Sequence, residues 1–242
     1  MRFNIRTQRK RIKTNRLAPI QNILEIFIQN CQKTYIPFEH LTLDKELIVF
    51  RGRCGFRQYI ASKSAKYRIK IYTLVDTKTY YTVNLEIYCG KQPENSLYAV
   101  SNKPYDAVNR MVNCVSGSSR KITIDNLFTS YETAENLLHN HKLTVVDTLR
   151  SNKTCTPLQF KTRRKVKTSL FSFQKYIALV SYMSKPQKMV HVMSTLHHDK
   201  EIDTRFGHQN KPSIITFYNE TKSGVDVGEL ARTYDVSRNS KR

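Results

Sequence analysis

Acidic side chains are scarce in this sequence. Its 242 residues hold 19 Asp plus Glu against 41 Lys plus Arg, a formal net charge of +22. A compact state with that excess repels itself unless a polyanion is present, and nucleic acid is the leading partner class. Long apolar runs are also missing. No stretch approaches the ~20 continuous apolar residues that a membrane helix needs. Behind Met1, Arg2, Phe3, Asn4, Ile5 and Arg6 there is no apolar segment, so no signal peptide is expected. Cysteine is sparse and scattered, at Cys31, Cys54, Cys89, Cys114 and Cys155, with no C-x-x-C pair. Neither a zinc module nor a disulfide framework is expected, and the chain reads as intracellular and reduced. The phosphate-binding pattern G-x-x-x-x-G-K-[ST] is absent too, which disfavours an ATP-driven motor. What is present is 39% hydrophobic and 10% aromatic residues. That suffices for a real core in one large domain or two small ones, and is unlike a disordered tail.

The missing acids are unevenly distributed. Residues 2–16 carry seven cations and no acid, and Thr148 to His198 again contains no acid. The second window holds Arg150, Lys153, Lys161, Arg163, Arg164, Lys165, Lys167, Lys175, Lys185 and Lys188. A mixed-charge scaffold is thus interrupted by a purely basic block. No internal repeat or low-complexity tract is evident.

Periodicity supplies a coarse element order. Residues 18–33 place Ile20, Ile23, Leu24, Phe27, Ile28 and Cys31 at helical spacing. Leu41 to Val49 reads as a strand. Tyr67 to Val75 and Tyr80 to Tyr88 alternate around a turn at Asp76-Thr77-Lys78, which predicts a hairpin. Ala107 to Val115 predicts a helix, and Lys121 to Ile124 a short strand ending at Asp125. Thr129-x-x-Glu132 matches a capping box before a helix bearing Ala134, Leu137 and Leu138. Leu143 to Leu149 predicts a further strand. Residues 151–211 lean towards strand but are ambiguous, and 212–236 read as partly helical, with Gly228 a weak point. This is an α/β pattern that fits, by analogy, the ribonuclease-H-like fold of nucleic-acid phosphoryl-transfer enzymes.

Such chemistry needs carboxylates. Cleaving or transferring a phosphodiester with two divalent ions requires oxygen ligands converging from separate elements. Asp44 in the first strand, Asp125 closing a later strand and Asp226 at the start of the last helix are the candidates. The alternatives at this point are a surface Asp44, a turn at Asp125-Asn126 and a helix cap at Asp226.

Four segments carry a resemblance. They are Thr42-Leu43-Asp44-Lys45-Glu46-Leu47-Ile48-Val49-Phe50-Arg51-Gly52-Arg53-Cys54, then Ile122-Thr123-Ile124-Asp125-Asn126-Leu127-Phe128-Thr129-Ser130, then Ser194-Thr195-Leu196-His197-His198-Asp199, and Phe217-Tyr218-Asn219-Glu220-Thr221-Lys222-Ser223-Gly224-Val225-Asp226. In order and spacing they resemble the piggyBac transposase family across nearly the whole chain. The resemblance implies a ribonuclease-H-like DDE transposase core with a basic, strand-leaning insertion domain. It implies cut-and-paste DNA transposition at TTAA sites with Mg²⁺ or Mn²⁺. It places the catalytic and metal-binding acids at Asp44, Asp125 and Asp226, and predicts a nuclear protein whose partner is DNA, compatible with a homodimer. The expected division is 1–40, a partial N-terminal helical or dimerisation-type segment; 41–150, the first part of the catalytic core; 151–205, the basic insertion domain; and 206–242, the last catalytic helix region.

This sequence also departs from the family. A further family acid would be Glu229 if no gap is allowed, and is lost near Gly228 if one is. Ser223, Arg68 and Asp147 stand where the family favours glycine. The chain reads as a catalytic core truncated at both ends, without the cysteine-rich C-terminal module. Two readings follow: a metal-dependent strand-transfer enzyme, or an inactive transposon-derived DNA-binding or interaction protein. Arg51, Arg53 and Arg57, and the run Lys161, Arg163, Arg164, Lys165 and Lys167, are candidate DNA contacts. That run also reads as a nuclear import signal, or as a solvated charge run. His197-His198-Asp199 is expected to make structural polar contacts, because neighbours on a strand point apart. The tyrosines at alternating strand positions are read as sheet surface, and the cysteines as structural or incidental.

Overall fold

The structure, a computed structural model, describes residues 15–92, 99–153 and 155–226. Helix α1 (Gln21–Thr34) is followed by β1 (His40–Val49), β2 (Gln58–Tyr59), β3 (Tyr67–Asp76) and β4 (Thr82–Ile87). Then come α2 (Pro104–Val112), β5 (Lys121–Ile124), α3 (Tyr131–His139) and β6 (Thr144–Leu149). A short α4 (Leu158–Lys161), β7 (Ser169–Gln174), β8 (Ile177–Lys185), β9 (Lys188–Ser194) and α5 (Ser213–Thr221) complete the order.

All nine strands join one sheet in the order β2-β3-β1-β5-β6-β9-β8-β7, with β4 also on β3. Strands β1, β5 and β6 are parallel, and β3 is antiparallel to β1. The hairpin predicted around Asp76 forms, and Asp76 Oδ1 accepts the Lys78 amide at 2.8 Å. The strands of the basic block extend the same sheet, because β9 pairs antiparallel with β6.

Helices cover both faces. On one, α2 and α3 bury Ala107, Val108, Met111, Val112, Ala134 and Leu137 against Leu41, Leu43, Leu74, Ile122 and Ile124. On the other, Ile214 and Ile215 of α5 pack on Val146, Val180 and Val192. Leu41, Thr42 and Leu43 are therefore all buried, as in a strand covered on both sides. Burying one such leucine contributes ~2–3 kcal/mol.

The helix start predicted as a Thr129-to-Glu132 capping box is shifted by one residue. Ser130 is the N-cap, and its Oγ accepts the Thr133 amide at 3.0 Å. Thr129 instead donates to Thr148 O at 2.8 Å, tying the start of α3 to β6. The stretch predicted as ambiguous, 151–211, places β7–β9 between Ser169 and Ser194, with turns, loops and short helices on either side. Of the expected helix over 212–236, α5 ends at Thr221 and helix resumes at residues 224–226; Gly228 lies outside the described residues.

Candidate active site

Strand pairing sets the geometry. Leu43 lies opposite Ile124 on parallel β1 and β5, and the Asp125 N–H donates to Leu43 O at 3.3 Å. Asp44 and Asp125 are thus the next residues on two neighbouring chains, at the level where β5 ends. A period of two puts Asp44 on the face of Thr42, and Asp125 on that of Thr123.

That same face receives α5. Thr42 Oγ1 donates to Thr221 O at 2.6 Å, and the Thr123 and Thr221 hydroxyls lie 2.6 Å apart. The chain turns at Lys222 and Ser223 and comes back against β1. A Cβ on Gly224 would lie 2.8 Å from Thr42 Oγ1, so glycine is required there by space. Asp226 follows two residues later at an exposed position.

Electrostatics tie the three acids together. Burial raises the Asp44 carboxyl from its ordinary range to about 6, and the charges of Asp125 and Asp226 push the same way. The Lys45 amide, which donates to Asp44 Oδ1 at 2.6 Å, opposes this. Asp125 Oδ2 carries the Lys45 ammonium at 3.1 Å. Tyr218 from α5 is raised by burial and feels both Asp125 and Asp44. Its hydroxyl is 3.4 Å from Thr148 Oγ1. Arg150 donates to Asn126 Oδ1 at 3.0 and 3.2 Å, one residue from Asp125.

Carboxylate oxygens are the donor type that hard divalent ions take. Asp44, half-buried against like charges, is short of positive charge that a cation supplies. The residues fit such an ion on these grounds. Among the described residues, however, no three His, Cys, Asp or Glu side chains are close enough to share one ion. Asp125 is engaged by Lys45, and Asp226 is exposed. Glu229 lies outside the described residues.

The expected cationic contacts are not joined to the acids by any ion pair among the described residues. Arg51 and Arg53 are exposed. Arg57 is committed to its own loop, donating to Gly52 O at 2.9 Å and stacking 4.0 Å over Tyr67. Arg164 donates to Ser181 Oγ at 2.7 Å, whereas Arg163, Lys165 and Lys167 are exposed. His197 follows the end of β9 rather than lying on a strand. Its Nδ1 lies 2.9 Å from Ser194 Oγ, and its ring is edge-on to Phe217, the structural contact expected.

Sequence reasoning passed over Lys45, Tyr218 and Arg150 as members of the site. The signal for Lys45 was its place beside Asp44; its partner became visible only with the register of β1 and β5. Arg68, at a position where glycine is the family's preference, donates to Leu47 O at 2.6 Å and Ala65 O at 2.9 Å, and so has a structural role of its own.

A sheet with one acid inside β1, a second just past the end of parallel β5 and a late helix docked on the same face defines a class, the DDE transposase fold. A family profile described as transposase IS4, of the DDE type, matches residues 1–242. The chain belongs to this transposase family. It is similar to the cryo-electron-microscopy structure of the piggyBac transposase synaptic complex with hairpin DNA, at 37% identity and a TM-score of 0.87. That match covers 99% of this chain and 50% of the other, so the chain spans about half that relative's length. The protein is piggyBac-like and transposase-derived, with the ribonuclease-H-like core of that relative. DDE transposases as a family depend on divalent metal.

Proposed function

We propose that this protein is a metal-dependent DNA strand-cleavage and strand-transfer core acting at TTAA sites, with Asp44, Asp125 and Asp226 as catalytic ligands for Mg²⁺ or Mn²⁺. The single observation carrying this reading is the placement of Asp44 and Asp125 at adjacent parallel strand positions, with the Asp226 segment docked on the same face. When bound, the ions supply Lewis-acid activation of the attacking oxygen and stabilisation of the leaving one. The protein's own part is to hold the acids on rigid strands and to orient DNA with exposed cations. Arg51, Arg53, Arg163, Lys165 and Lys167 are offered for phosphate contact, with Arg57, Lys161 and Arg164 shaping the segments that carry them. Glu229 is a further candidate ligand. Action on chromosomal DNA, a nuclear location and pairing of two copies belong to the same proposal, and autonomous transposition does not.

A second reading is favoured by the Lys45–Asp125 ion pair, which occupies a ligand oxygen. It is a transposon-derived protein that binds DNA without cutting it. Divalent-ion binding separates the two. Mn²⁺ at about 100 times its Kd should stabilise the wild type by ~2.7 kcal/mol in thermal unfolding, and should do nothing for Asp125→Asn. Equal stabilisation of both proteins, or of neither, sinks the metal-site reading.

A further inference from the structure

One residue holds both strand acids. Lys45 gives its backbone N–H to Asp44 Oδ1 at 2.6 Å and its ammonium to Asp125 Oδ2 at 3.1 Å. Alternation along β1 sends the Lys45 side chain to the face opposite Asp44. It reaches Asp125 because β5 stops at Ile124, which leaves the Asp125 carboxylate at an open strand end. The two side chains are 31% and 21% exposed, so the pair is neither a free surface contact nor a sealed one.

The surroundings reinforce the positive charge. Lys45 lies opposite Tyr72 on β3, and Lys70 sits on the same sheet face, its ammonium 4.9 Å from the Tyr72 ring centre and 4.2 Å from that of Tyr88. The acid pair therefore has the Lys45 cation on one side of the sheet and the segment leading to Asp226 on the other. A divalent ion that bridged Asp44 and Asp125 would meet the ammonium on one of the oxygens it needs. The lysine competes by occupying Oδ2 and by like-charge repulsion, which is poorly screened at a half-buried position.

Resting on the metal-site reading above, we propose that Lys45 is a tethered counter-ion on Asp125 that a divalent cation would have to displace to be held by Asp44 and Asp125, so that this lysine sets the metal affinity of the centre. It is a positioning residue. Its ammonium relieves the repulsion between the two carboxylates; with a divalent ion held there, that ammonium would leave Oδ2 while the backbone amide would keep its bond to Asp44.

The test titrates Mn²⁺ into the full 242-residue chain, following free Mn²⁺ by electron paramagnetic resonance, with the melting temperature as a second readout. K45Q should bind Mn²⁺ about tenfold more tightly than wild type, and K45R, which keeps the charge, should match wild type. Without metal, K45Q should melt below wild type because the acid pair has no counter-ion. Equal affinity in wild type and K45Q overturns the role of Lys45 and leaves the metal reading standing. Absence of binding in both overturns the two together. A gain that persists in K45Q combined with Asp125→Asn locates the ion elsewhere and also overturns the proposal.

Discussion

The two halves of the sheet solve the same charge problem in opposite ways. From β1 to β6, several cations are matched by the protein's own acids. Arg110 holds Glu86 through two bonds at 2.7 and 2.8 Å, Lys121 pairs with Glu39, and Lys45 pairs with Asp125. In the half formed by β7–β9 there is no acid at all between Thr148 and His198. Its strands still bury Ala178, Val180, Met183 and Val192, so the fold there is ordinary. Among its cations Arg164 bonds neutral oxygens on Ser181, and Arg163, Lys165 and Lys167 stand exposed. Charge that the protein does not neutralise itself stands on its surface there. One half is thus built to gather negative charge at a point, and the other to present positive charge over a surface.

Removing the surface charge should have the larger effect. Replacing Arg163, Lys165 and Lys167 together by glutamine should flatten the salt dependence of DNA binding by about 2.7 in log–log slope, at roughly 0.9 for each phosphate no longer neutralised. Lys121→Gln removes a cation already paired with Glu39 and should leave the slope nearly unchanged. Equal slopes in wild type and the triple variant would refute the division drawn between the halves.

A smaller effect sharpens the contrast within the acidic half. Asp147 on β6 is fully buried, and its Oδ1 has no hydrogen-bond partner. Burial raises its carboxyl well above the usual range. A raised acid favours its protonated form in the fold. Its penalty is therefore present at neutral pH and is relieved as pH falls through the folded value towards the unfolded one, near 4. Asp147→Asn should gain about 1–3 kcal/mol at pH 7, and the difference from wild type should shrink at pH 4–5. Chemical denaturation at the two pH values reads this directly, and a pH-independent difference would rule out an ionisation penalty.

The outline of the fold was legible in the sequence where a local pattern decided it. The alternation of Tyr67 to Val75, the helical spacing of Ala107 to Val112 and the short run Lys121 to Ile124 each formed the expected element. Block 151–211 was not legible, because β8 is buried along most of its length and shows no alternation. The cap of α3 was misplaced by one residue because Thr129 and Ser130 compete for the same role, and the Thr148 carbonyl on β6 decides between them. At the site, the three acids could be named from the resemblance. What brings Asp44 beside Asp125 is register, and what seats the Asp226 segment is the fit of Gly224 on Thr42; neither is written in local spacing. The Lys45 contact belongs to the same group, since it spans 80 residues.

Mn²⁺-dependent nicking of supercoiled DNA carrying TTAA, with Asp125→Asn alongside, is the direct test of whether Asp44, Asp125 and Asp226 form a working cleavage centre. The wild type should nick the DNA, and the variant should not. Salt-sensitive DNA binding with no nicking by the wild type, or nicking undiminished in Asp125→Asn, would contradict such a centre.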